Sequence, residues 1–359
     1  MIPIVKPYLP PLDKYQRYLE GIYQRNWLTN KGPLLQELEQ RLADYLGVQH
    51  LMLVANGTLA LQVAYRALGL EQGEVITTPF TFAATPGSLC WQNLEPNFVD
   101  IDADSLNLSV DSLTNEVLSK AVAITAVHVF GNPCEVEQIQ DLAQTHNLKV
   151  IYDAAHAFGS TYKGESVLQY GDAATLSLHA TKLFHCVEGG AIIFKDKAAL
   201  DKARQLINFG FDNTNNPEFV GINAKMSELH AAMGLAMLDD IDAILEARQQ
   251  LVARYHQQLG GVVGFQQWHS DGQVNGAYSP ILFESEQQLL QVSAVLTENK
   301  IQHRRYFYPC LSECETYGEP VATPIASDIS RRVLCLPLYY GLEINDVDKI
   351  CALIRQGLK

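Results

Sequence analysis

The hydrophobic positions of this chain cluster into short runs, several of them continuous, separated by stretches of helical period. Residues 50–54, 74–78, 97–100, 122–128, 149–153, 173–178 and 191–194 form such runs. Several lack the polar alternation of a half-exposed strand, so they are expected to be strands covered on both faces. Residues 59–68, 111–118 and 137–146 fall between the earlier runs and read as helices. Strand and helix in alternation predict a doubly wound α/β fold with a mostly parallel, seven-stranded sheet. Ligands of such sheets bind beyond the carboxyl ends of the strands.

Ahead of the alternating region, residues 13–25 read as a helix. Trp27-Leu-Thr-Asn-Lys-Gly32 is a turn, and Pro33 opens a second helix at its first position. Leu34, Leu35, Leu38, Leu42 and Tyr45 keep helical spacing, and Gly47 closes it. Residues 225–259 are expected to form one long helix leaving the large domain, broken by Gly260-Gly261. The remainder reads as a small α/β unit, with strands at 280–283, 302–306 and 333–336 and helices at 286–298 and 345–356. The expected division is a large domain over residues 1–245 and a small one over 246–359.

A length of 359 residues and a hydrophobic fraction of 47% suit two domains with a large core. The chain has no run of eighteen apolar residues, so no membrane-spanning helix is expected. Its start lacks a basic region followed by an apolar one, so no signal peptide is expected. The net charge of −14 argues against a nucleic-acid partner, and it requires that an anionic ligand be held by local donors. Seven scattered cysteines read as reduced thiols in a cytoplasmic protein. Cys310 and Cys314 have no second pair to complete a zinc site, so no metal is expected. No G-x-G-x-x-G follows the first strand, which disfavours a dinucleotide fold.

The candidate chemistry starts at Lys182, a lysine in a loop between two apolar runs, with Glu188-Gly189-Gly190 making the turn. Partial desolvation there lowers an amine's pKa and suits it to Schiff-base chemistry. A lone loop lysine is most often simply solvated, so its neighbours decide. The run at 148–153 ends in Asp153, and the run at 51–54 leads through Asn56-Gly57-Thr58 into a helix. A lysine, a strand-end carboxylate and a small-residue helix start are the parts a pyridoxal 5′-phosphate (PLP) site requires. They bind the cofactor's carbon, ring nitrogen and phosphate respectively. Taken singly, Asn56-Gly57-Thr58 is equally an ordinary helix cap, Asp153 a turn cap and Phe82 a core aromatic.

Ser177-Leu-His179-Ala-Thr-Lys182, Asp153-Ala-Ala-His156, Pro79-Phe-Thr-Phe82-Ala-Ala-Thr and Pro337-Leu-Tyr-Tyr-Gly-Leu stand in the order found in one family. The chain resembles the DegT/DnrJ/StrS sugar aminotransferases, which have the fold type I aspartate aminotransferase architecture. The resemblance runs over nearly the whole chain. It implies that Lys182 is the Schiff-base lysine and that Asp153 pairs with the pyridine nitrogen. It places Gly57, Thr58 and Ser177 at the phosphate, Phe82 against the pyridine ring and His156 near the ring oxygen. It implies that Asn223, in Gly221-Ile-Asn223-Ala-Lys-Met-Ser-Glu, reaches across a homodimer to the neighbour's phosphate. Arg304 and Arg305 are a basic pair suited to a substrate diphosphate or carboxylate, or equally a solvated surface pair.

The implied reaction moves an amino group from L-glutamate to a nucleotide-linked keto-deoxy sugar. Ala-His-Ala-Phe-Gly after Asp153 and Ala154 resembles the C4 group more than the C3 group. That points to C4 of a dTDP-4-keto-6-deoxyhexose, for O-antigen or another surface glycan. A C3-specific aminotransferase and a non-catalytic PLP-binding regulator remain as alternatives. A sugar 3-dehydratase of this fold would carry histidine in place of Lys182.

Overall fold

Burial of the apolar runs organises the molecule. The computed structural model describes residues 1–359 and sets seven of these runs side by side. Helices α1 (Leu12–Arg25) and α2 (Pro33–Leu46) precede β1 (His50–Val54) and α3 (Gly57–Ala67). Then come β2 (Gly73–Thr77), α4 (Ala84–Trp91), β3 (Leu94–Phe98), α5 (Asn115–Lys120), β4 (Ala121–Val127), α6 (Val136–His146) and β5 (Lys149–Asp153). A tiny hairpin, β6 (Thr161–Tyr162) and β7 (Glu165–Ser166), leads to β8 (Ala173–Ser177), β9 (Gly190–Phe194) and α7 (Lys197–Leu206). The main sheet has the order β1-β9-β8-β5-β4-β2-β3. Only β9 runs antiparallel to its neighbours β1 and β8. All five β9 residues are buried, as its unbroken apolar run requires.

The second unit follows α8 (Glu228–Leu238). It contains most of α9 (Ile241–Leu259), then β10 (Pro280–Leu282), α10 (Glu286–Glu298), α11 (Pro324–Arg332), β11 (Val333–Cys335) and α12 (Ile344–Gly357). The expected division at residue 245 falls inside α9. Ile241 and Ile244 pack into the large core, while Leu251, Val252, Tyr255 and Leu259 pack into the small one. The first residues cross over as well: Ile2 pairs with Ile301, and the Leu338 N–H donates to the Ile4 carbonyl.

Four differences from the sequence reading have local causes. The helix expected over 225–259 begins at Glu228 and breaks at Asp239-Asp240, where Asp240 accepts from Lys14 Nζ at 2.8 Å and Tyr8 Oη at 2.9 Å. The strand expected at 302–306 is a single bridge, Arg304 to Cys335. Helix α4 has no counterpart among the expected helices and contains Pro86 and Gly87. Proline is tolerated because it lies in the first helical turn. The strand expected at 97–100 is β3, displaced toward the N-terminus.

One buried carboxylate ties α2 to α8. Glu228, 1% exposed, accepts from the Leu34 and Leu35 backbone N–H groups at 3.0 and 2.8 Å. These are orphan donors of the first turn of α2, and a negative charge there also suits the helix dipole.

Candidate active site

Strands β1, β5 and β8 end at one side of the sheet, and the residues just past their ends line a cavity of about 380 Å³. Asn56, Gly57 and Thr58 enter it from the start of α3, Asp153, Ala155 and His156 from the end of β5, and Ser177 from the end of β8. Phe82 forms part of the wall with its ring 54% exposed, and Lys182 reaches in from the β8–β9 loop. The small unit contributes Arg304 and Tyr306, and Tyr278 comes from the segment that crosses into it.

The α3 start serves as both a cap and a candidate anion site. Asn56 Oδ1 accepts from the Leu59 N–H at 2.9 Å, an ordinary N-cap. The Gly57 and Thr58 N–H groups have no acceptor in the chain, and both residues line the cavity at the helix N-terminus. Gly57 lies close to β8: a Cβ there would lie 3.0 Å from the Ser177 Cβ, tighter than an ordinary contact.

Asp153 is buried and held on both oxygens. Thr85 Oγ1 donates to Oδ2 at 2.8 Å, and the Ala155 N–H donates to Oδ1 at 3.1 Å. Burial raises its pKa, while Thr85, the Ala155 amide and the Lys182 charge act the other way. Thr85 is itself 2.8 Å from Thr81 Oγ1. Because Thr85 spends its single proton on Asp153, Thr81 is the donor in that second bond.

The loop carrying Lys182 is tied across its base. Leu178 N–H donates to the Gly189 carbonyl at 2.8 Å and Ala180 N–H to Val187 at 2.7 Å. His185 Nδ1 accepts from the Val187 N–H at 3.2 Å, and its Nε2 lies 2.7 Å from the Tyr8 carbonyl. His185 therefore carries its proton on Nε2 and anchors the loop to the N-terminal segment. Burial lowers the Lys182 pKa, opposed by Asp153 and reinforced by Arg304. A larger neutral fraction makes Nζ a better nucleophile.

His156 is buried, with its ring parallel to Phe130 and Phe307 at 6.1 and 5.9 Å. Its Nδ1 accepts from the Phe130 N–H at 3.3 Å, and burial holds its pKa well below the usual value. It is a neutral imidazole with its proton on Nε2, able to donate one hydrogen bond.

Two expected residues lie elsewhere. Arg305 is outside the cavity: its Nη2 donates to Glu286 Oε1 at 2.6 Å and to the Arg331 carbonyl at 2.9 Å. Neighbouring side chains of an extended segment point to opposite sides, so only Arg304 of the pair faces inward. Asn223 is exposed, bridges to Asn208 and is not among the residues that line its own chain's cavity. Arg304 has no carboxylate partner and lies over the Tyr306 ring at 4.5 Å.

The family model for DegT/DnrJ/EryC1/StrS aminotransferases matches residues 13–355. The chain belongs to this family. It is 42% identical to a dTDP-4-amino-4,6-dideoxy-D-glucose transaminase of Shigella dysenteriae, over 98% of each chain. It is 31% identical to a GDP-perosamine synthase of Vibrio cholerae, over 99% of this chain and 98% of that one. Among solved structures, DesI in the presence of its TDP-sugar product superposes with a TM-score of 0.94 at 34% identity. That match covers 100% of this chain and 93% of that one.

Three residues of this aminotransferase site have no signal in the sequence that separates them from core residues. Thr85 sits in the quoted Phe82-Ala-Ala-Thr segment, and only its contact with Asp153 assigns it a part. Tyr278 Oη lies 3.4 Å from Lys182 Nζ, across 96 residues of chain. Arg248, 5% exposed, lines the cavity from α9.

Proposed function

We propose that this chain is a PLP-dependent aminotransferase that moves an amino group from L-glutamate to C4 of a dTDP-linked 4-keto-6-deoxyglucose. The arrangement that carries this reading is one cavity holding a lysine of lowered pKa, a buried strand-end carboxylate, an exposed aromatic ring and two free helix-start amides. These groups fit PLP. Gly57 leaves room beside Ser177 that any larger residue would fill, and the donor set there suits a phosphate. The sugar assignment is supported by the relatives named above and by a second such transaminase, of Escherichia coli, at 39% identity.

Bound PLP supplies an electron sink for the carbon that loses its proton. Asp153 would pair with the pyridine nitrogen and keep it protonated, and the Thr85 hydroxyl favours the ionised carboxylate. Gly57, Thr58 and Ser177 would hold the phosphate, Phe82 would lie against the ring, and the His156 Nε2–H would donate to the ring oxygen. Lys182 would hold PLP through its Nζ. Its Nζ would then carry a proton from the glutamate α-carbon to the cofactor and, in the second half-reaction, from the cofactor to the sugar carbon. Arg304, the cavity's unpaired guanidinium, suits the substrate diphosphate or the donor carboxylate against the overall charge of −14.

The reading includes a homodimer with shared sites. Asn223 follows exposed Val220 and Ile222, and the Phe209 N–H donates to the Ile222 carbonyl, bringing a third exposed apolar residue near it. An apolar patch around a polar residue suits a subunit interface. Seven free cysteines suit the cytoplasm, and no helix is long and apolar enough to cross a membrane. O-antigen or another surface glycan is the proposed destination of the product.

A panel of nucleotide-linked keto sugars assayed with L-glutamate tests the reading. Amination of the dTDP-4-keto-6-deoxy sugar above all others is expected. Preference for a 3-keto sugar, or no amination of any sugar, overturns the substrate assignment.

A further inference from the structure

Lys182 Nζ has one hydrogen-bonding partner in the chain, the Tyr278 hydroxyl at 3.4 Å. The Tyr278 ring is confined on three sides, with centroids at 4.5 Å from His156, 5.4 Å from Phe130 and 5.6 Å from Tyr306. Its backbone is confined too. Arg248 donates through Nε to the Gly276 carbonyl at 2.7 Å, through Nη2 to Ala277 at 2.8 Å and through Nη1 to Leu338 at 3.0 Å. Asn275 Nδ2 donates to the His156 and Phe158 carbonyls at 2.8 and 3.1 Å, and its Oδ1 accepts from the Ala277 N–H at 2.9 Å.

Arg248 has no carboxylate partner, and burial lowers its pKa to about 10. Burying a guanidinium is costly, and here every nitrogen is spent on main-chain carbonyls, two of them immediately before Tyr278. The segment 275–278 is therefore fixed from α9 on one side and from the Asp153–His156 loop on the other. Its next residues enter β10 of the small unit.

We propose that Tyr278 is a positioning residue for Lys182, whose hydroxyl receives and holds the free amine between the two half-reactions. A hydroxyl suits this task because it accepts from an ammonium and donates to a neutral amine. Burial keeps the phenol un-ionised, so it acts as a dipole without adding charge. The other titratable groups facing Lys182 are Asp153 and His156 from the β5 end, and Arg304 and Tyr306 from the small unit. None of these is hydrogen-bonded to Nζ. The inference rests on Lys182 being the Schiff-base lysine.

The test uses holoenzyme held in its aminated form with excess L-glutamate, in which Lys182 is free. Competitive acetylation across pH, read by mass spectrometry of the Lys182 peptide, gives the midpoint of its reactivity. Tyr278→Phe keeps the ring and removes only the hydroxyl. The bond to an ammonium is the stronger one, so its loss is expected to lower the midpoint by about one pH unit. We expect kcat to fall about tenfold with KM for glutamate nearly unchanged. Tyr306→Phe, which removes a facing hydroxyl not bonded to Nζ, moves the midpoint by less than Tyr278→Phe does. An unmoved or raised midpoint in Tyr278→Phe, or equal shifts in both variants, overturns the inference. Borohydride fixation of the cofactor on Lys182 in unsubstituted enzyme checks the underlying reading separately, so the two failures are distinguishable.

Discussion

Thr85 donates its hydroxyl proton to Asp153 Oδ2 at 2.8 Å, with both residues buried. The bond favours the charged carboxylate, opposing the burial that disfavours it. Removing the hydroxyl with Thr85→Val therefore raises the Asp153 pKa further. The acid limb of the kcat–pH profile is expected to move to higher pH by about one unit, and Thr85→Ser to restore it. An acid limb at its original position in Thr85→Val would show that Thr85 only packs.

Asp153→Asn keeps the shape of the site and removes the charge. Cofactor binding is expected to persist, because the phosphate donors are untouched. The half-reaction with glutamate is expected to slow by more than two orders of magnitude, about 3 kcal/mol of barrier. Near-normal single-turnover rates would reduce the carboxylate to a turn cap for Ala155.

Purified enzyme is expected to be yellow, and borohydride to attach the cofactor to the peptide containing Lys182, since hydride turns the imine into a secondary amine. Peptide mapping decides it. Labelling of Lys163, which is paired with Glu137 at 2.7 Å, or of Lys225 would end the reading.

Asn223 serves its neighbour if the site is shared. Lys182→Ala destroys one chain's own site but leaves its Asn223 intact for the partner. Asn223→Asp places a negative charge beside the partner's phosphate and weakens cofactor binding there. Unfolding and re-mixing the two inactive variants is expected to give heterodimers with one whole site, up to about half the activity per heterodimer. Verified heterodimers no more active than their parents would assign Asn223 to its own chain's site or to none.

Glu228→Ala leaves the Leu34 and Leu35 amides without their acceptor in a buried position. A loss of about 2–3 kcal/mol of stability is expected, read as a lower urea midpoint. An unchanged midpoint would mean that water replaces the carboxylate.

The sequence by itself carried everything set by short-range order. Unbroken apolar runs can only be strands buried on both faces or short core helices. Their lengths and flanking turns located six of the seven sheet strands to within about two residues. The polar and small residues that end those runs, Asp153, Ser177 and Asn56-Gly57-Thr58, were legible as candidate site residues because strand ends face the crevice of a doubly wound sheet, and they line the cavity. Lys182 was legible from its position between two such runs. Helix α4 was hidden by Pro86 and Gly87, and the break at Asp239-Asp240 by helical spacing that continues on both sides of it.

Only the tertiary structure decided which distant side chains meet. Thr85 reaches Asp153 because β5 lies two strands from β2, and that order is not written in any local period. Tyr278 reaches Lys182 because Arg248 and Asn275 clamp the crossing between the two units. Arg304 faces the cavity and Arg305 does not, because a single bridge to Cys335 sets which side of the extended segment points inward. Each of these contacts joins residues from elements far apart in the chain, so each depends on packing energies summed over whole elements rather than on the residues themselves.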